Sequence, residues 1–255
     1  MNRIITYIVL NIVRSNIVVV YTLLLAALSW GIFSVEDNTS KGILTLLNVI
    51  LLTVPLVSLI FSTIYLYNSS EFIELLLSQP IRRSTIWWSL FWGLTLSMQL
   101  AFLLGAGIPI YVYAPTDVGL IMIAMGLCIT AVFVSIAFLS AILTRDKAKG
   151  IGLALVLWFY FSLVYDGLVL GILFSFNEYP LEKAMLILTA LNPTDLARIM
   201  VLMKMDISAL MGFTGAVFQD FFSTNYGLLV ALFVLLLWVV IPVSIATRIF
   251  QKKDL

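Results

Sequence analysis

Residues 42–70 read GILTLLNVILLTVPLVSLIFSTIYLYNSS and contain no aspartate, glutamate, lysine or arginine. A helix that crosses the hydrocarbon core of a bilayer needs about 20 consecutive apolar residues, and this stretch is longer than that. Backbone groups in lipid must find their hydrogen-bond partners within the segment, which an isolated strand cannot provide. The stretch is therefore predicted to be a transmembrane helix.

The same pattern recurs along the whole chain of 255 residues, which is 62% hydrophobic and only 11% charged. Soluble domains carry about 25% charged residues, so the composition is that of an integral membrane protein. Uncharged runs cover residues 15–35, 84–116, 118–144 and 221–247, and residues 150–177 form a sixth run if Asp166 is accepted within it. We predict an all-α membrane protein in which residues 1–255 form one transmembrane domain with six spans.

Several kinds of chemistry lack their usual residues. The chain has no histidine, which removes the most common general base and zinc ligand, and its one cysteine, Cys128, cannot form a disulfide within the chain. No G-x-x-x-x-G-K-[ST] motif is present to bind nucleotide phosphates. The 14 basic and 13 acidic residues provide no basic face for nucleic acid. We expect a non-catalytic chain with no metal site and no cofactor of its own.

The distribution of basic residues predicts the orientation, because lysine and arginine are enriched on the cytoplasmic side of membrane proteins. With six spans both termini lie on one side, and that side would hold ten basic residues against four on the other. The ten are Arg3, Arg14, Arg82, Arg83, Arg145, Lys147, Lys149, Arg248, Lys252 and Lys253, and the four are Lys41, Lys183, Arg198 and Lys204. We predict cytoplasmic termini.

Residues 1–15, MNRIITYIVLNIVRS, are too short and too polar for a span. Arg3, Tyr7, Asn11 and Arg14 recur at helical spacing, which gives one polar stripe on an otherwise apolar helix. Such a helix would lie in the membrane interface and contact lipid headgroups. A signal peptide is the alternative, but Arg14 interrupts the apolar region and no typical cleavage site follows.

Residues 71–83, EFIELLLSQPIRR, separate the second and third spans on the predicted cytoplasmic side. The pattern from Ser70 to Leu77 predicts a short helix with acidic residues in its first turn, ending before Pro80. A helix lying across the membrane surface is one interpretation. The other is an ordinary loop whose arginines only follow the positive-inside bias.

Residues 178–225 form a long connection on the opposite side, between the fifth and sixth spans. Its apolar piece, residues 184–191, is too short to cross a bilayer and is predicted to be a re-entrant or surface helix. Asn192 or Thr194 could cap a second helix that begins at or just after Pro193, with Asp195 in its first turn. Four methionines in this region, Met200, Met203, Met205 and Met211, are soft enough to bind copper(I), although packing explains them better.

Asp166 is an ionisable residue near the centre of the fifth span, where insertion costs about 2.5 to 3.5 kcal/mol. It could face a cavity as a contact for substrate or cation. It could equally be a structural polar group that bonds to Ser162, Tyr160 or a neighbouring helix. The sequence leaves both interpretations open.

The N-terminal helix, the E-x-x-E-L-L-L-S-Q-P-I-R-R stretch after the second span and the six-span plan together resemble the ABC-2 type of ABC-transporter membrane subunit. A narrower resemblance is to the permeases that serve copper-site assembly in nitrous-oxide reductase. It is carried by LNPTDLAR at residues 191–198, MGFTGAV at 211–217 and YDGL at 165–168.

The resemblance implies a homodimer in the bacterial inner membrane that works with two copies of a cytoplasmic ATPase, which would bind the ATP and magnesium. It also implies that residues 71–83 contain a coupling helix docking on that ATPase. The contact residues would be Glu71, Phe72, Glu74, Leu75, Arg82 and Arg83, with Leu76 as a further apolar anchor.

A periplasmic copper-site assembly protein is the partner implied on the other face. Residues 178–225 are the only surface predicted there that is large enough to bind it, with Asn192, Pro193, Asp195 and Arg198 as docking residues. The alternative function is a stand-alone ion- or proton-coupled carrier that uses Asp166. Such carriers usually contain internal repeats, and we find no convincing repeat in this sequence.

Overall fold

The computed structural model describes residues 2–36, 38–144, 146–175, 182–205 and 225–252. Almost all of these residues are helical, and no strand occurs among them. We number the helices in chain order: α1 (Asn2–Val13), α2 (Asn16–Val35), α3 (Thr39–Asn68), α4 (Ser70–Leu77), α5 (Arg83–Tyr113), α6 (Asp117–Leu143), α7 (Lys147–Ser175), α8 (Glu182–Ala190), α9 (Pro193–Lys204) and α10 (Asn225–Lys252).

Six of these helices, α2, α3, α5, α6, α7 and α10, are long and apolar enough to cross a membrane. They are called spans one to six below. The predicted all-α architecture with six spans is therefore confirmed, including the sixth run that contains Asp166. Because consecutive spans alternate in direction, α4 and the α8–α9 pair lie on opposite membrane faces.

Short polar side chains mark where the helices begin. Ser15 accepts a hydrogen bond from the backbone N–H of Val18 at the start of α2, and Thr116 does the same for Gly119 at the start of α6. Asp146 accepts from two N–H groups at the start of α7. These caps satisfy N–H groups that have no partner within their own helix, and they end one span and begin the next within a few residues.

The core lies between spans two, three, four and six. Trp87 of α5 stacks on Phe250 of α10 with ring centroids 4.4 Å apart, and its edge meets Phe138 of α6 at 5.0 Å. All three side chains are buried. By contrast, α7 is the least buried of the six spans, so most of its surface is left for lipid or for another chain.

Helix α1 packs against span three through its isoleucines. Ile8 and Ile12 are fully buried, and Ile8 lies directly over Gly93 of α5. A Cβ atom at Gly93 would be 2.5 Å from the Cγ2 atom of Ile8, so the absence of a side chain allows this close approach. The predicted helix is present, and its position in the membrane interface remains a prediction.

Candidate functional sites on the two membrane faces

Helix α4 runs from Ser70 to Leu77, the bounds predicted from the sequence. Ile73 and Leu76 are buried and attach one side of the helix to the bundle. The opposite side presents Glu71, Glu74 and Leu75 to the surroundings, and 66% of Leu75 is exposed. Leu76 is therefore part of the core and does not form the external anchor that we predicted.

Phe72 is half-buried, and its ring stacks on Tyr7 of α1 with centroids 5.7 Å apart. Arg82 precedes the first residue of α5 and Arg83 is that residue; both side chains are exposed. We call the surface formed by α1, α4 and these arginines the α1–α4 platform. Its exposed acids and arginines flank one apolar residue, Leu75, an arrangement suited to binding another protein.

A second contact on this face was missed by the sequence analysis. The Tyr67 hydroxyl at the end of α3 lies within hydrogen-bond distance of the Thr144 hydroxyl and of the Ala141 carbonyl oxygen, the latter at 3.3 Å. Lys147 donates to the side-chain oxygen of Asn68 at 2.7 Å. These bonds link the segment just before α4 to the connection between spans four and five, and nothing in the local sequence pattern predicts their pairing.

On the other face, α8 and α9 form a hairpin whose tip is the pair Leu191 and Asn192. The tip packs against Phe161, near the middle of α7, which fits the re-entrant alternative. Trp238 of span six donates its indole N–H to the Ala190 carbonyl oxygen at 3.1 Å, and Tyr165 donates its hydroxyl to that of Leu188 at 2.7 Å. The hairpin is thus attached to both neighbouring spans.

The tip fits a local irregularity of span five. Residues Tyr160–Val164 form a π-helical turn, in which the N–H of Tyr165 bonds to the carbonyl of Tyr160. The carbonyl oxygen of Phe161 instead accepts from Asn192 Nδ2 at 3.0 Å and from Thr194 Oγ1 at 2.9 Å. An otherwise unpaired carbonyl in a membrane span is costly, and the hairpin satisfies it.

Asn192 also caps α9, as predicted, because its side-chain oxygen accepts the backbone N–H of Thr194 at 3.1 Å. The same oxygen accepts the Thr194 hydroxyl at 2.6 Å. Asn192 is fully buried and Pro193 is buried beside it. Both residues are therefore used inside this chain, and of the four predicted docking residues only Asp195 and Arg198 retain any exposure.

The structure brings Asp166 together with two of the predicted docking residues, Asp195 and Arg198. We call these three residues the charge cluster. The Nη1 atom of Arg198 is 2.9 Å from Asp166 Oδ2 and 3.1 Å from Asp195 Oδ1. About a third of the Arg198 and Asp166 side chains is exposed, and only 14% of the Asp195 side chain. The cluster connects span five to α9, which supports the structural interpretation of Asp166.

The pKa of Asp195 is raised to about 7, first by burial and then by the neighbouring Asp166, while Arg198 and Asn192 oppose the shift. One arginine does not fully offset two carboxylates in a site with little solvent. The ion pair between Asp166 and Arg198 was missed in the sequence. The presence of an acid in a span was the available signal, because such an acid usually has a partner of opposite charge.

Two other features of the sequence, the methionines and the MGFTGAV segment, add no site among the described residues. Met200 and Met203 are buried in the core, so they pack against apolar neighbours and do not face a surface. Met211 and the MGFTGAV segment lie outside the described residues. Among the residues that the structure describes, no group of three or more histidine, cysteine, aspartate or glutamate side chains is placed to hold a metal ion.

The six candidate spans define a multi-pass membrane protein, and comparison with known families identifies its class. A family model described as ABC-2 family transporter protein matches residues 50–255, and the chain belongs to that family. It is similar to two curated proteins, each described as "Probable ABC transporter permease protein NosY". The one from Pseudomonas aeruginosa is 29% identical over 167 residues, which is 61% of either chain. The one from Stutzerimonas stutzeri is 30% identical over 161 residues, which is 57% of either chain. The match thus covers about three-fifths of each relative's length.

Proposed function

We propose that this chain is the membrane subunit of an ABC transporter that couples ATP hydrolysis by a separate cytoplasmic ATPase to an event on the periplasmic side. The event is transport, or transmission of force, for assembly of the copper site of nitrous-oxide reductase. The family membership and the two NosY-like relatives support the permease part of the proposal. The copper-site part rests on the sequence resemblance described above.

The proposed assembly contains two copies of this chain in the bacterial inner membrane, two copies of the ATPase and a periplasmic copper-site assembly protein. Both termini lie in the cytoplasm in this arrangement, which places the α1–α4 platform on the ATPase side. The poorly buried surface of α7 is available for the second copy or for lipid. The α8–α9 hairpin then lies on the face of the periplasmic protein.

The observation that carries the proposal is the division of α4 into two sides. Ile73 and Leu76 attach the helix to the bundle, while Glu71, Glu74 and Leu75 point away from it. Among the described side chains neither glutamate belongs to an ion pair. An ATPase with a basic rim around an apolar groove would match this surface, and movement of the ATPase would reach spans two and three directly.

Co-purification of the whole complex tests this assignment. In the Glu71→Lys/Glu74→Lys double variant we expect the affinity for the P-loop ATPase to fall at least about tenfold, because both contact charges are reversed. Thermal unfolding of the membrane chain should be unchanged, since both side chains are exposed. The matched control is Asp117→Lys, an exposed acid on the opposite face, which should retain the ATPase.

Two results would contradict the proposal. One is wild-type ATPase binding by the double variant, which would remove α4 from the contact. The other is the absence of any P-loop ATPase from the purified wild-type complex, which would favour the stand-alone carrier.

A further inference from the structure

The charge cluster contains one guanidinium and two carboxylates, so it carries a net charge of −1 when all three groups are ionised. Both carboxyl groups contact the same atom of Arg198, Nη1, at 2.9 Å and 3.1 Å, so two acids share one cationic partner. Two carboxylates held this close repel each other when both are ionised, and a bound proton removes that repulsion. With one proton bound, the cluster is neutral overall.

Other titratable groups near the cluster are few. Tyr165 of α7 interacts with Asp195 of the cluster and with Tyr160 of its own helix. The helices packed on α9 include α3, α6 and α10, whose charged residues are Lys41, Asp117, Arg248 and Lys252. None of these four forms an ion pair with the cluster among the described side chains. Helix α8 begins with Glu182 and Lys183, whose side chains lie outside the described part of the chain.

We propose that the charge cluster is a proton-dependent contact that holds the α8–α9 hairpin against span five. With the proton bound, Arg198 bridges the two carboxyl groups without repulsion between them, and α9 is attached to α7. Without it, the two carboxylates repel each other and the attachment weakens. The proposal concerns this chain alone and does not depend on the transport assignment.

The direction of the pH effect follows from the pKa of Asp195, which is raised from its ordinary 3.8 to about 7. The attached hairpin binds the proton more tightly than a detached hairpin would, because detachment moves Asp195 away from Asp166 and reduces its burial. Raising the pH therefore removes stability from the attached form, beginning above the ordinary value and continuing until the pH passes the raised one. The attachment should be firm in mild acid and weakened above neutral pH.

Distance measurement by electron paramagnetic resonance on the full-length chain in lipid nanodiscs tests the proposal. Spin labels at Phe174→Cys in α7 and Ile187→Cys in α8, in a Cys128→Ser background, report on the hairpin, because both native side chains are mostly exposed. We expect a narrow distance distribution at about pH 5 and a broader, longer one at about pH 9, with the change centred near pH 7.

The Asp195→Asn variant imitates the protonated carboxyl and should give the narrow distribution at both pH values. Asp117→Asn, outside the cluster, should respond to pH like the wild type. A wild-type distribution that does not change with pH would overturn the proposal, as would an Asp195→Asn variant that retains the full response. Asp166→Asn is a second neutral variant. If Asp166→Asn and Asp195→Asn both give a broad distance distribution at low pH, the attachment needs both carboxylate charges. A proton would then not hold the hairpin, and the proposal would be overturned.

Discussion

The α1–α4 platform and the α8–α9 hairpin look alike in the sequence and differ in the structure. The α4 part of the platform, residues 70–83, and the hairpin each place acidic and basic residues, a proline and short apolar runs between long uncharged segments. On the platform, the acids of α4 remain exposed and only its apolar side chains contact the bundle. In the hairpin, the polar side chains turn inward and bond to span five.

This difference indicates which surface can bind an external partner. Exposed charges next to an exposed leucine can bind another protein without first breaking contacts within the chain. Arg198 can bind an external group only by giving up part of its contact with Asp166 or Asp195. We therefore expect the proposed ATPase contact at α4, with its side chains in the positions seen here. Docking of a periplasmic protein at Asp195 and Arg198 remains a prediction that must compete with the charge cluster.

The largest expected effect comes from comparing alanine variants on the buried and exposed sides of α4. Leu76→Ala removes a buried side chain and should lower the free energy of unfolding by about 3 kcal/mol, because a cavity remains in the core. Leu75→Ala should leave unfolding nearly unchanged and reduce ATPase affinity about tenfold, since Leu75 is exposed. Chemical unfolding in detergent and a titration with the ATPase measure the two effects. The reverse pattern would show that α4 presents its other side to the partner.

A smaller effect is expected in the hairpin. Asn192→Ala removes the cap of α9 and one of two donors to the Phe161 carbonyl, which together should cost about 2 kcal/mol. Hydrogen exchange of the α9 amides should accelerate about 30-fold, while ATPase binding is unchanged. Asn68→Ala on the opposite face loses only an exposed bond to Lys147 and should have little effect. Equal exchange rates in the two variants would mean that the tip does not hold the hairpin.

The sequence predicted the six spans and the bounds of α4 because both depend on local signals. Charge-free length identifies a span, and Pro80 limits where α4 can continue. The cap of α9 was predicted for the same reason, since Asn192 and Pro193 are adjacent in the chain.

The contacts of the charge cluster could not be predicted in this way. Asp166 and Arg198 are 32 positions apart, and they meet because the hairpin turns at the level of a π-helical turn that has no sequence signature. Leu75 and Leu76 show the same limit at short range. Both are leucines on one short helix, and only the position of α4 on the bundle decides which one is buried.

The smallest expected effect concerns the base of the platform, where Ile8 of α1 lies over Gly93 of span three. Two contributions oppose each other in Gly93→Ala. Alanine favours the helix by about 0.8 to 1 kcal/mol, whereas forcing a methyl group against Ile8 costs about 1 to 3 kcal/mol. The new Cβ would be 2.5 Å from Cγ2 and 2.9 Å from Cβ of Ile8, and the Cβ atom cannot move without α1, so the cost should exceed the gain. We expect the free energy of unfolding to fall by about 1 kcal/mol and the attachment of α1 to weaken.

Gly152→Ala in span five is the control, because nothing lies within 4 Å of its added methyl group and only the helix-favouring contribution remains. Opposite signs for the two variants in the same unfolding assay would place the platform on span three through this contact. A stabilising Gly93→Ala would mean that α1 is not held there, and the ATPase contact would then rest on α4 alone.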